Sequence, residues 1–325
     1  MKISVLTSSN NPLIKHFPNG KPVWGNCEFY FNEKFEDCDC LFVLDTLPFE
    51  IDSKCGKSNT FLCVCEPPFV KLYHPKYISQ FGNLISFRKF AHYKNNFIDS
   101  FPLLPWLSGS KFIESKHSWN ETNYISYDEF VKLSIKDKYN KIAIITSNKA
   151  FTRGHRKRLK FLAYLKNSLP DILDIFGDGF QFVEDKFDVY SKYKYVIAFE
   201  NCSYSGYWTE KIADAFLCNC LPLYFGDPCL DRYFDVQSYI QLDLNEPEMM
   251  VQKIKQIIKE DTYSEKIKYI EIAKQKVMNE YNLFSVMAKI SEKYHKCNDK
   301  SFVNLKVEHP DKFHKFKQVL YRLGK

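Results

Sequence analysis

No CxxC pair occurs among the 11 cysteines, so a zinc site would lack its paired second half. The cysteine count is odd, and Cys38-x-Cys40, Cys63-x-Cys65 and Cys218-x-Cys220 alternate with one residue between. In a strand that spacing puts both thiols on one face, which suits burial better than a disulfide. Free thiols and a reducing cytoplasm are therefore expected. No signal peptide stands at the start, and no apolar run approaches the length of a membrane span. No Asp-x-Asp pair sits at the end of a candidate strand, so no metal and no resident cofactor are expected. Zinc-finger, RRM-like and helix-turn-helix signatures are missing too. The net charge of +7 is modest and spread through a core-rich chain, which argues against nucleic acid as a partner. It suits an anionic small substrate or an anionic surface.

What is present is a large apolar inventory. A chain of 325 residues with 45% hydrophobic and 17% aromatic content can bury the cores of two domains. The most informative stretch is Tyr195 to Pro228. Val196 to Phe199 is short and apolar enough for a buried strand. Asn201 to Gly206 breaks that pattern. Thr209 is a good N-cap, with Glu210 and Lys211 in the first turn of a helix whose apolar face runs from Ile212 to Leu217. Leu221 to Phe225 returns to extended structure, and Gly226-Asp227-Pro228 turns the chain. Strand, helix and strand at this length imply a βαβ unit and a parallel sheet. Ligands of such sheets sit beyond the carboxyl ends of the strands, where this loop lies. A lysine at a helix start opposes the macrodipole unless an anion lies between them. Either a phosphate is held there, or Lys211 pairs with Glu210 or Asp214.

Two further segments carry chemistry. Ile142 to Ile145 reads as a short buried strand, Thr146-Ser147-Asn148 opens a loop, and a basic helix follows. Arg153, Arg156 and Arg158 crowd its start, suited to a phosphate or to a solvated basic face. Leu62 to Cys65 is an apolar strand ending in Glu66, where Pro67-Pro68 forces the chain out. Read alone, Glu66 is an exposed turn residue.

Phe199-Glu200-Asn201-Cys202, Tyr207-Trp208-Thr209-Glu210-Lys211, Pro222 and Gly226-Asp227-Pro228 together resemble the signature of glycosyltransferase family 10. These are the α-1,3/α-1,4-fucosyltransferases, here of the bacterial type without an N-terminal anchor. The departure is Cys202, where the family has serine. The resemblance implies an α/β chain of GT-B fold, two Rossmann-like domains facing across a cleft. It implies an inverting transferase that moves L-fucose from GDP-fucose to a hydroxyl of an oligosaccharide, O3 of a GlcNAc-type sugar. It makes Glu66 the general base. It places the donor against Arg158, with Arg156 second, and against Glu200, Asn201, Tyr207, Glu210 and Lys211, without a metal. Loss of Lys211 should then depress turnover by orders of magnitude with little change in folding. Two other readings stand beside it: a GT-B enzyme using another nucleotide sugar, and a non-catalytic carbohydrate- or polyanion-binding protein.

The expected divisions are an acceptor-side domain over 1–140, a GDP-fucose-binding domain over 141–290 and a basic tail over 291–325. Phe101 to Trp106 is either an acceptor wall or a packed linker. The tail from Lys312 to Lys325 is amphipathic if helical. It either touches the inner face of the membrane peripherally or packs back on the first domain.

Overall fold

The computed structural model describes residues 1–33, 37–134 and 137–323; the side chains of Phe313, Arg322 and Leu323 are outside that description. Lys136 and the last two residues, part of the expected linker and tail, also lie outside the described residues. The chain forms two α/β units. One comprises Met1–Leu104 with Tyr281–Lys325, the other Pro105–Glu280. Two such units bear out the GT-B class. The division differs from the expected boundaries. Residues 105–140 belong with the second unit, and 281–325 return to the first.

In the first unit a seven-stranded sheet runs Val23–Trp24, Cys27–Phe31, Lys2–Thr7, Cys40–Leu44, Thr60–Cys63, Asn83–Ser86 and Asn96–Asp99. All neighbours pair in parallel except the outermost pair, Val23–Trp24 on Cys27–Phe31. Cys40–Leu44 and Thr60–Cys63 are buried at every position. That is why they read as unbroken apolar runs rather than alternating ones. The helix Leu283–Tyr294 belongs to this unit: Phe284 stacks on Phe17 at 4.1 Å and meets Phe29 edge-on at 5.1 Å. Asn282 caps that helix and donates to the His16 carbonyl at 2.9 Å, fixing its start. The contact partner lies far away in the chain, so no local pattern assigns this helix to a domain.

The second unit carries a five-stranded parallel sheet in the order Leu173–Phe176, Tyr139–Ile145, Tyr193–Phe199, Leu221–Phe225, Ile240–Gln241. In chain order that is second, first, third, fourth, fifth, a doubly wound arrangement. Its topological switch point lies between Tyr139–Ile145 and Tyr193–Phe199. Helices Arg153–Ser168, Glu210–Leu217, Pro247–Lys259 and Thr262–Gln275 accompany the sheet. Phe101 to Trp106 forms no regular element, and Trp106 is buried edge-on against Phe130. The stretch is therefore packed. All eleven cysteines are free. Among the described residues no helix is long and apolar enough to cross a membrane.

Candidate active site

The switch point of the second sheet gathers most of the residues singled out from the sequence. Strand Tyr193–Phe199 delivers Glu200, which is 0% exposed. A buried carboxylate must be paired and hydrogen-bonded, and this one is. It accepts the Thr209 N–H at 2.8 Å and the Thr209 hydroxyl at 2.8 and 2.9 Å. Lys211 Nζ lies 3.3 Å from its second oxygen. Thr209 is also the N-cap of Glu210–Leu217. One side chain thus starts the helix and clamps the strand-end carboxylate. Gly226 makes room: a Cβ there would stand 2.4 Å from Glu200 Cγ.

Lys211 is held on three sides. Besides Glu200, it reaches the Thr209 hydroxyl at 3.0 Å and Glu210 at 3.2 Å. Of the two local partners read from the sequence, Glu210 is the one it uses. Asp214 belongs instead to Lys186, whose ammonium lies 2.6 Å from Asp214 and 3.8 Å from Glu210. The other Asp214 oxygen accepts the N–H groups of Leu107 and Ser108, both at 2.8 Å. Burial opposes the charge of Glu210, but Lys211 and Lys186 outweigh it and hold the carboxyl at about 2. Glu200 goes the other way: burial raises it, and Lys211 only partly offsets this. No role for Lys186 is legible in the sequence. Its link to Asp214 spans 28 residues and has no local signature.

On the other side of the switch point, Thr152 and His155 form a capping box at the start of Arg153–Ser168. Gly154 follows in the first turn, where a Cβ would meet the Asn201 carbonyl oxygen at 1.9 Å. Only glycine lets the helix start abut the loop. Of the three arginines, Arg153 and Arg156 are exposed and Arg158 is buried. Arg156 turns back to the Ala150 carbonyl at 3.1 Å. The Arg158 guanidinium lies 3.4 Å from Asn201 Oδ1 and 3.4 Å from the Ser147 carbonyl, and its buried Nε has no partner among the described residues. Burial lowers its pKa against the pull of Glu200. Burial and Arg158 also lower His155, which favours the neutral imidazole.

Tyr207 is 1% exposed, so its ring lies inside the unit rather than open to a stacking base. Its carbonyl accepts from the Tyr224 hydroxyl at 3.4 Å. Glu66 belongs to the first unit, half-buried beyond the end of Thr60–Cys63. The site of the second unit therefore unites Arg158, Glu200, Asn201, Glu210 and Lys211, with Tyr207 behind them. Chemically it offers two cations near a buried carboxylate at a strand end, a place for an anionic group. Among the described residues no group of three or more His, Cys, Asp or Glu could hold a metal ion.

Comparison with known proteins bears on the same residues. Residues 135–310, more than half of the chain, match the family described as glycosyltransferase family 10 (fucosyltransferase) C-term. The alpha-(1,3)-fucosyltransferase FucT of Helicobacter pylori is 37% identical over 60 residues, 18% of this chain and 13% of that protein. The GDP-fucose protein O-fucosyltransferase 3 of Danio rerio is 31% identical over 102 residues, 31% of this chain and 22% of that protein. The chain thus spans less than a quarter of either relative. A crystal structure of an alpha1,3-fucosyltransferase with GDP-fucose aligns over 82% of this chain and 81% of its own, at 15% identity and a TM-score of 0.46.

Proposed function

The chain belongs to glycosyltransferase family 10, the fucosyltransferases, and from that premise we propose that it transfers L-fucose from GDP-fucose to O3 of a GlcNAc-type sugar in an oligosaccharide, with inversion. The observation that supports this reading most is that the switch point brings a buried arginine, Arg158, against Asn201 and Lys211 against the neighbouring Glu200. A diphosphate leaving group gains negative charge as the bond to the sugar breaks. Donors fixed in a dry site stabilise that charge without reorganising.

Arg158 is the cation with an open donor, so it takes the diphosphate directly. Lys211 is already positioned by Thr209, Glu200 and Glu210, and it serves the same phosphates as an oriented point charge. Glu210 and Asn201 face the nucleotide, while Tyr207 shapes the loop from within. Glu66 accepts the proton of the acceptor hydroxyl as its oxygen attacks C1 from the face opposite GDP. Transfer proceeds on this reading without a metal. Peripheral membrane contact falls to the outward residues of helix Lys312–Leu323, where Phe316 and Val319 are 61% and 51% exposed among lysines.

The test is GDP release from GDP-fucose with N-acetyllactosamine, using GDP-mannose and UDP-galactose as alternative donors. Release that needs both GDP-fucose and the acceptor is the expected result. Turnover of UDP-galactose alone would replace the donor, and absence of GDP binding would overturn the role of Arg158 and Lys211.

A further inference from the structure

Within the first unit, a charged residue lies one to three positions past each of three neighbouring parallel strands. Asp45 follows Cys40–Leu44, Glu66 follows Thr60–Cys63 and Arg88 follows Asn83–Ser86. One hydroxyl ties two of these ends together. The Tyr73 oxygen accepts the N–H of Cys65 at 3.1 Å and of Glu66 at 3.3 Å, and donates its own proton to Asp45. Asp45 is held in turn by Lys71, 2.9 Å away. Tyr73 is 4% exposed, so these bonds have no water to replace them.

The loop that carries Tyr73 is fixed from the far end of the chain. Gln318 accepts the Leu72 N–H, and His314 Nε2 lies 2.6 Å from the Leu72 carbonyl. Glu308 accepts the His74 N–H at 2.6 Å and stands 3.5 Å from Lys71. Both backbone groups of Leu72 and the N–H of His74 are thus satisfied by side chains more than 230 residues downstream. A loop with that many of its polar backbone groups claimed has one conformation.

We propose that residues 308–318 are a positioning element for the general base. They lock Leu72 to His74, and Tyr73 then fixes the backbone of Glu66. This rests on Glu66 being the base. The segment is accordingly part of the machinery of the first unit, whatever its outer face contacts.

The experiment compares full-length Tyr73→Phe, Gln318→Met, Gln318→Glu and Glu66→Gln with the parent. It measures thermal midpoint, GDP affinity, and kcat and KM for acceptor-dependent transfer. Displacement of a reacting group by about 1 Å can cost up to about a hundredfold in rate. Tyr73→Phe and Gln318→Met are expected to lose about that much in kcat, with KM for GDP-fucose and GDP affinity within about twofold of the parent. Gln318→Glu keeps an acceptor for the Leu72 N–H and should restore most of the loss. If both variants are less heat-stable yet turn over at the parental kcat below their midpoints, the contacts only stabilise the fold and the inference falls. If Glu66→Gln retains parental kcat, the base assignment fails first, and the positioning role with it. Loss in Glu66→Gln with no loss in Tyr73→Phe overturns the positioning role alone.

Discussion

Each unit puts a glutamate just past an inner parallel strand, and the two are supported in opposite ways. Glu200 directly follows Phe199, is wholly buried, and takes its partners from Thr209 and Lys211, nine and eleven positions on. Glu66 comes third after Cys63, is half-buried, and depends on Tyr73 nearby and on Glu308, His314 and Gln318 at a distance. A carboxylate without solvent needs a counter-charge beside it, which Glu200 has on its own short segment and Asp214 takes from Lys186, 28 residues away. One that meets water on one side tolerates support assembled late from elsewhere.

Single replacements separate the two arrangements. The largest effect is expected at Glu66→Gln: roughly 10²- to 10⁴-fold lower transfer, with the thermal midpoint and GDP affinity unchanged. An unchanged rate would remove the contrast in role. Lys211→Ala should cut turnover by about 10²-fold or more, and here structure corrects the expectation of undisturbed folding. Glu200 would be left buried without its cation, which costs about 3 kcal/mol. A denaturant midpoint equal to the parent would show that Thr209 and Arg158 sustain the carboxylate without Lys211.

Gly154→Ala drives a methyl into the Asn201 carbonyl. It should lower stability by about 1–3 kcal/mol and weaken GDP binding, as calorimetry would show. Acid titration gives a finer distinction within the second unit. The Glu210 carboxyl is held at about 2 against an ordinary 4.5. Its stabilising contribution is therefore complete above 4.5 and is lost as pH falls toward 2. Glu200 is raised, so its protonation relieves a penalty as pH falls, the opposite slope. Midpoints recorded from pH 6 to pH 2 should fall less steeply in Glu210→Gln than in the parent. Smallest of all, Arg156→Ala should change GDP affinity by less than about twofold, since Arg156 is exposed and caps its own loop. A loss comparable to that of Arg158→Ala would reverse their ranking.

These contrasts also mark what the sequence could disclose. The site of the second unit, Arg158 apart, was legible because its parts sit on one βαβ unit: the apolar run to Phe199, the N-cap Thr209, the turn at Gly226. Leu221–Phe225 was read at its observed bounds because a strand buried at nearly every position leaves an unbroken apolar run. The choice among the arginines rested on the family resemblance, and burial of Arg158 alone gives it a physical basis. Tyr207 was read as a surface for the nucleotide, yet an aromatic in a polar loop carries no sign of facing inward. The domain boundary was misplaced because Phe284 on Phe17 and Glu308 on Lys71 join residues that no window spans. The Tyr73 hydroxyl was missed for a related reason: a tyrosine in a proline-rich turn looks like any surface aromatic.

The late return of residues 281–325 to the unit that begins the chain has a consequence for biosynthesis. The second unit is continuous from Pro105 to Glu280 and can close as soon as it leaves the ribosome. The first unit emerges earlier but has to wait, with Phe17 and Phe29 uncovered until Phe284 is made. During translation the amino-terminal sheet is thus the aggregation-exposed half, and slow decoding after residue 280 would lengthen that exposure rather than relieve it.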